Sequence, residues 1–364
     1  MGTALLKLPP NRVRRNYRGG AGIDKLHGRN ACRDNDQPEE WVGSMEIASN
    51  PGLAPVADEG LAFVQTENGK IFLKDLVNAD KQFYLGDYLH KDGTWQLSFL
   101  LKILDSAMRL HVQVHPTTEY ANRVLHKPYG KLECYYILGV RGGQEPYIRL
   151  GFQHAPTKEE WKRIVAEQDK AAMDACFEKI PVAVGDVWYI PGGMPHAIGE
   201  GITMLEIMEP SDLVIRCEYE REGIVVPPAA RFMGKDLNFA LDIFDYRTYS
   251  KQDIMNKCRI QPRIVEKEPS FINTCLVGTE LTNCFTVNKL QIWQKVNIKH
   301  EHKFTLGVVC EGKCLITTAT ESITLERGDS FAIAAAVSDY CVEPLAGDVT
   351  LVQVMPGEDM KVKR

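Results

Sequence analysis

Short apolar runs that carry isolated polar residues dominate this chain, and they predict strands. The run Phe99-Leu100-Leu101-Lys102-Ile103-Leu104 has one lysine inside it. In Gln113-Val114-His115 the polar residues alternate within an apolar stretch, so a strand there points Gln113 and His115 to one face. Glu133 heads the β-rich run Glu133-Cys134-Tyr135-Tyr136-Ile137-Leu138. A third run, Gly185-Asp186-Val187-Trp188-Tyr189-Ile190, leads through Pro191-Gly192-Gly193-Met194-Pro195 to His196-Ala197-Ile198.

Helical signals interrupt these strands. Residues Val64 to Ala79 mix polar loop with apolar positions that suit a short helix, and Thr117 to Val124 reads as helical. Thr157-Lys158-Glu159-Glu160 is a capping-box pattern, with helical character continuing from Trp161 to Phe177. That helix falls between sheet segments of one unit and is therefore expected as an insertion. Leu237 to Phe244 is a further helical stretch, after a proline-containing connection at Val225 to Ala230. From about Ile260 the chain becomes strand-rich again. Asp92-Gly93, Glu311-Gly312-Lys313 and Arg327-Gly328-Asp329 are expected turns. The pattern predicts a mainly β protein of two units, residues 1–256 and 257–364, with helical insertions in the first.

The chain has 364 residues, enough for two packed units, and a net charge of −5 with both signs interspersed. Nothing in that distribution suggests a nucleic-acid groove or a membrane-binding face. Arg12, Arg14, Arg15 and Arg18 are followed by no apolar signal core, so a soluble, cytoplasmic protein is expected. The 10 cysteines contain no CxxC pair and read as reduced, mostly buried residues. Cys134 adjoins Glu133, but strand alternation sends it to the opposite face, where packing is its expected role.

His115, His196, Glu133 and Gln113 offer two imidazoles, one carboxylate and one amide oxygen. Such a set suits a catalytic divalent metal, zinc above all, with a coordination position left for substrate. With one anionic ligand the site stays net positive and can act as a Lewis acid. His300 and His302 form an H-x-H pair in the second unit. Where the first unit has Pro195-His196, the second has Ala334-Ala335-Ala336, so that unit is expected to hold no metal.

The order of these motifs resembles the type I phosphomannose isomerases of the cupin superfamily. The resemblance rests on Phe99-Leu100-Leu101-Lys102, Gln113-Val114-His115-Pro116, Lys131-Leu132-Glu133, Pro195-His196-Ala197, and Glu209-Pro210-Ser211-Asp212 through Arg216. Asn16-Tyr17-Arg18-Gly19-Gly20 and Glu39-Glu40-Trp41 resemble two further family segments. It implies two cupin (jelly-roll) barrels and one Zn2+ per chain, bound by Gln113, His115, Glu133 and His196. It also implies interconversion of mannose 6-phosphate and fructose 6-phosphate through an enediol. The expected partner is a small sugar phosphate, with neither nucleic acid nor membrane involved, and the chain is expected as a monomer or weak homodimer.

Under the resemblance, Arg216 matches the family's essential arginine and would stabilise the enediolate or grip phosphate as a fork. Lys131 shares a strand face with Glu133 and is a candidate acid/base if the metal's charge lowers its pKa. Lys102 needs an anionic partner in its apolar run, either substrate phosphate or a buried carboxylate. Glu209 and a metal-bound water are further candidates for proton transfer. Departures from the family stand near the site. His111, able to carry charge, replaces a serine that helps bind phosphate, and Thr117 and Thr118 replace acidic residues. Leu132 replaces a threonine and Tyr135 a tryptophan. These changes leave open an isomerase of another sugar, or a sugar-binding regulatory cupin without turnover.

Overall fold

The computed structural model describes residues 2–67, 69–88, 97–143 and 145–357. The expected Asp92-Gly93 turn lies outside them. The architecture is mainly β and cupin-like, with helical insertions. A seven-stranded antiparallel sheet runs in the order Arg259–Ile260, Val187–Ile190, Glu133–Val140, Ile202–Met208, Leu100–Ser106, Glu39–Val42, Arg12–Val13. A five-stranded sheet has the order Ile180–Pro181, Tyr147–Leu150, His196–Ile198, Gln113–Val114, Ile215–Arg216. The third sheet has nine strands and gathers the carboxy-terminal region from Arg263 onward, together with Leu5–Leu8.

Alternation decides which face of the seven-stranded sheet meets what. Leu101, Ile103, Cys134, Tyr136, Leu205 and Ile207 pack with Phe285, Val287, Leu306, Val308, Val352 and Val354 of the nine-stranded sheet. Cys134 therefore turns away from the Glu133 face, as the pleat requires. The intervening residues face the other way and build the chamber described below. Val112 and Val114 alternate with Gln113 and pack against Trp161, Ile164, Val165 and Phe177 of the helical insertion. The insertion thus backs the five-stranded sheet.

The expected helix from Trp161 to Phe177 is two helices, Lys158–Glu167 and Lys170–Ala175. Gln168 breaks it in a left-handed conformation, and Asp169 caps the second helix through Ala172 N–H. Thr157 and Glu160 form the capping box at the first. The segment from Val64 contains the hairpin Phe63–Thr66 and Gly69–Phe72 before its helix, Leu73–Ala79. Thr118–Tyr120 opens one helical turn capped by the Thr117 hydroxyl, and a π turn, Ala121–Leu125, continues it.

One expected turn is not a turn. Glu311-Gly312-Lys313 lies within the continuous strand Thr305–Thr317, where the register with Asp339–Pro356 shifts repeatedly. Gly312 has φ +81°, and a Cβ there would sit 2.2 Å from the Asp348 carbonyl oxygen. This is a β-bulge, which calls for glycine for the same reason that a turn does. Gly328-Asp329, by contrast, is a turn closed by Asp329 N–H to Glu326 O at 2.9 Å. Among the described residues, no helix is long and apolar enough to cross a membrane.

Candidate active site

Cross-strand pairing sets two rows of side chains facing each other. In the five-stranded sheet, Gln113 pairs with His196 on one side and Arg216 on the other. Neighbours at paired positions point to the same face, so His196, Gln113 and Arg216 form one row. In the seven-stranded sheet a second row runs Trp188, Tyr135, Glu206, Lys102, Trp41. Glu133 and Glu39 lie two residues from Tyr135 and Trp41 and share their face. The space between the rows is lined by Arg15, Lys102, His111, Lys131, Glu206 and Arg216, among others.

At one end of this chamber stand His115, Glu133 and His196, each buried, with one ligand atom apiece lying within 4.8 Å of the others. His115 Nδ1 meets the Leu213 carbonyl at 2.8 Å, and His196 Nδ1 meets the Met194 carbonyl at 3.0 Å. Those contacts place the ring N–H on Nδ1 and leave each Nε2 with a lone pair turned toward Glu133. Burial lowers both imidazole pKa values, that of His115 to about 4, so both rings are neutral. His115 Nε2 and Glu133 Oε1 are 3.0 Å apart, yet neither makes a hydrogen bond of acceptable geometry. Two buried lone-pair atoms at that distance need a cation near them; Lys131 Nζ, 2.9 Å from Oε1, serves the carboxylate and leaves His115 Nε2 without a partner. The Gln113 amide lies 3.3 Å from His196 Nε2, and rotation about its last bond exchanges nitrogen for oxygen there. The donors therefore fit a divalent metal ion.

The loop carrying His115 is fixed by close backbone contacts. Gly193 N–H donates to His115 O at 2.7 Å, and Lys131 N–H donates to Pro116 O at 3.0 Å. A Cβ on Gly130 would come within 2.4 Å of Pro116 O, and one on Gly192 within 2.7 Å of Thr117 Cα. Glycine at both positions lets two segments press against His115-Pro116 and hold the ring in place.

Lys131 Nζ lies 2.9 Å from Glu133 Oε1. Burial works to lower the Lys131 pKa, but Glu133, Glu206 and Asp212 outweigh it and hold it above the usual lysine value. Without a metal ion, then, the lysine is an ammonium. Lys102 has found buried carboxylates, standing 3.4 Å from both Glu39 and Glu206. Arg216 lines the chamber with Nη1 tethered to the Ala230 carbonyl at 2.8 Å. His111 also lines it, 3.3 Å from the Ile224 carbonyl, and burial lowers its pKa to about 4. His111, able to carry charge, therefore offers the chamber a neutral imidazole.

Glu209, a candidate for proton transfer from sequence, does not line the chamber. Its carboxylate accepts from the Thr118 hydroxyl at 3.0 Å and Leu132 N–H at 3.1 Å, which pins the entry to the Glu133 strand. Sequence reasoning does not mark Arg15 or Glu206 as site residues, and it assigns no role to Tyr17, Glu39 and Asp212, which lie in segments that resemble the family. Glu39 is a hub, accepting from Tyr17 at 2.7 Å, Trp41 at 2.7 Å and Arg15 at 2.9 Å. Arg15 in turn reaches toward Asp212 at 3.8 Å. Glu206 is buried, and that burial, with Glu133 and Glu39 nearby, raises its pKa to about 7 against the opposing pull of Lys102 and Lys131. In the second unit, His300 is engaged at both nitrogens, by the Val337 carbonyl at 2.9 Å and the Thr305 hydroxyl at 3.0 Å.

Comparison with known proteins supplies the family. Residues 59–132 match the family described as phosphomannose isomerase type I, catalytic domain, and residues 279–356 match the cupin domain of mannose-6-phosphate isomerase. The chain is 30% identical over 255 residues to mannose-6-phosphate isomerase of Streptococcus mutans, covering 70% of this chain and 72% of that one. It is 27% identical over 250 residues to mannose-6-phosphate isomerase ManA of Bacillus subtilis, covering 68% of this chain and 72% of the relative. The crystal structure of the mannose 6-phosphate isomerase from Bacillus subtilis shares the fold, with TM-score 0.73 at 21% identity over 97% of this chain and 99% of that one. A variant of phosphomannose isomerase from Salmonella typhimurium superposes with TM-score 0.70 at 16% identity, over 98% and 100% of the two chains. The extent of these matches, together with the motifs they span, makes this chain a member of the type I mannose-6-phosphate isomerase family, an isomerase.

Proposed function

We propose that the chamber interconverts mannose 6-phosphate and fructose 6-phosphate through an enediol. One zinc ion would be held by Gln113, His115, Glu133 and His196. The observation that carries this reading is the meeting of two cross-strand rows, His196-Gln113-Arg216 and Tyr135-Glu206-Lys102, at one buried ligand cluster. Charge balance supports a phosphorylated sugar. Arg15, Lys102, Lys131 and Arg216 face Glu39, Glu206 and Asp212, with Glu133 at the ligand end. Cations and carboxylates are equal in number, so a divalent ion leaves an excess of positive charge suited to a phosphate dianion.

The bound ion would supply Lewis-acid polarisation of the sugar carbonyl. The chain's own residues do the rest. Glu206, with its pKa near neutrality, takes the proton from one carbon and returns it to the next. Lys131 exchanges protons with the sugar oxygens. Arg216 directs its fork at the oxygens where charge develops. Lys102 and His111 hold the substrate, His111 as a neutral hydrogen-bonding group. The catalytic unit includes Arg259–Ile260, which pair with its seven-stranded sheet, and the nine-stranded sheet, from Arg263 onward with Leu5–Leu8, serves as a structural unit without metal. A coupled assay for fructose 6-phosphate, started from mannose 6-phosphate with and without EDTA, tests the reading. Turnover that chelation abolishes and zinc restores is expected. No turnover in zinc-loaded protein, or turnover indifferent to chelation, would count against it.

A further inference from the structure

Glu133 and Tyr135 lie two residues apart in strand Glu133–Val140, so the pleat sends both side chains to the chamber face. Tyr135 is 1% exposed, and its position lies between Trp188 and Glu206 in the cross-strand row. Its hydroxyl donates to Glu133 Oε2 at 2.6 Å, a length typical of a charge-assisted bond. The other carboxylate oxygen, Oε1, stands 3.0 Å from His115 Nε2 and 2.9 Å from Lys131 Nζ.

We propose that Tyr135 is a positioning residue for the metal: its hydroxyl occupies Glu133 Oε2, so that Oε1 is presented to the ligand cluster in one orientation. The two grips on the carboxylate are unequal. Lys131 reaches it along a flexible four-carbon stem, whereas the phenol is a rigid ring on two rotatable bonds, fixed by burial. Removing the hydroxyl leaves Oε2 without its donor and Glu133 free to turn about its last bond, so that Oε1 is no longer fixed beside His115 Nε2. The inference rests on the metal reading above.

The test is a Zn2+ titration in competition with a chromophoric chelator, on wild type, Tyr135→Phe and Tyr136→Phe. Tyr136 points to the opposite face of the same strand, into the apolar contact with the nine-stranded sheet, and loses the same atom. Tyr135→Phe is expected to weaken Zn2+ affinity by about 10–100-fold, the usual effect of losing a partner of a metal ligand, while Tyr136→Phe leaves it unchanged. Excess Zn2+ should restore kcat in Tyr135→Phe with KM for mannose 6-phosphate unaltered. Unchanged affinity in Tyr135→Phe, beside a wild type that binds Zn2+, would overturn this inference alone. A wild type that binds no Zn2+ would overturn the metal reading as well. Thermal unfolding of the metal-free proteins separates a folding defect, and equal losses of affinity and Tm in both variants would also overturn the proposal.

Discussion

Replacing Arg216 by alanine is expected to lower kcat by about 10²–10³, the loss typical of removing one donor that meets charge developing in the transition state. The argument is geometric. Arg216 pairs with Gln113 across the five-stranded sheet, so its guanidinium shares a row with two members of the ligand set. One nitrogen is tied to the Ala230 carbonyl, which restrains the fork at the chamber wall. Substrate oxygens gain charge only as the proton leaves carbon, so KM should change less than kcat. Arg216→Lys should not rescue, because an ammonium cannot reproduce a planar fork. Steady-state kinetics decide it. A kcat within about threefold of wild type, with a raised KM, would make Arg216 a phosphate anchor instead.

Glu206→Gln is expected to reduce kcat by about 10²–10⁴, the range for losing a general base. The variant keeps shape and hydrogen-bonding capacity but cannot take a proton. The wild-type pH profile carries the sign. A base works when ionised, so with the Glu206 pKa raised to about 7, kcat/KM should climb as pH rises toward neutrality and level off above it. That acidic limb should vanish from the residual activity of Glu206→Gln. A variant that keeps near-wild-type turnover, or the same limb, would remove Glu206 from proton transfer.

Some of this site was legible in the sequence because strand alternation is a local rule. Gln113 and His115 fall on one face, Cys134 falls opposite Glu133, and both expectations rest only on the pleat. Alternation does not say which side chains meet across strands. Glu39, Lys102, Glu206 and Tyr135 meet because their strands lie side by side in register, and register is not written in any one segment. A signal did exist for Glu206, a lone carboxylate inside Ile202-Thr203-Met204-Leu205-Glu206-Ile207-Met208, where burial requires a partner. Lys102 posed the complementary demand for an anion, and the two residues stand opposite each other at paired positions. Glu209 misled because its motif lies beside the site while its carboxylate is used by Thr118 and Leu132. Gly312 misled because a bulge and a turn make the same demand for positive φ.

The central claim is one metal ion on Gln113, His115, Glu133 and His196, and elemental analysis of the chain tests it most directly. Protein loaded with Zn2+ and freed of unbound ion should retain one equivalent in wild type, as a single site of this donor set requires, and essentially none in the His115→Ala, His196→Ala double variant. Two equivalents in wild type, or metal retained by the double variant, would contradict it.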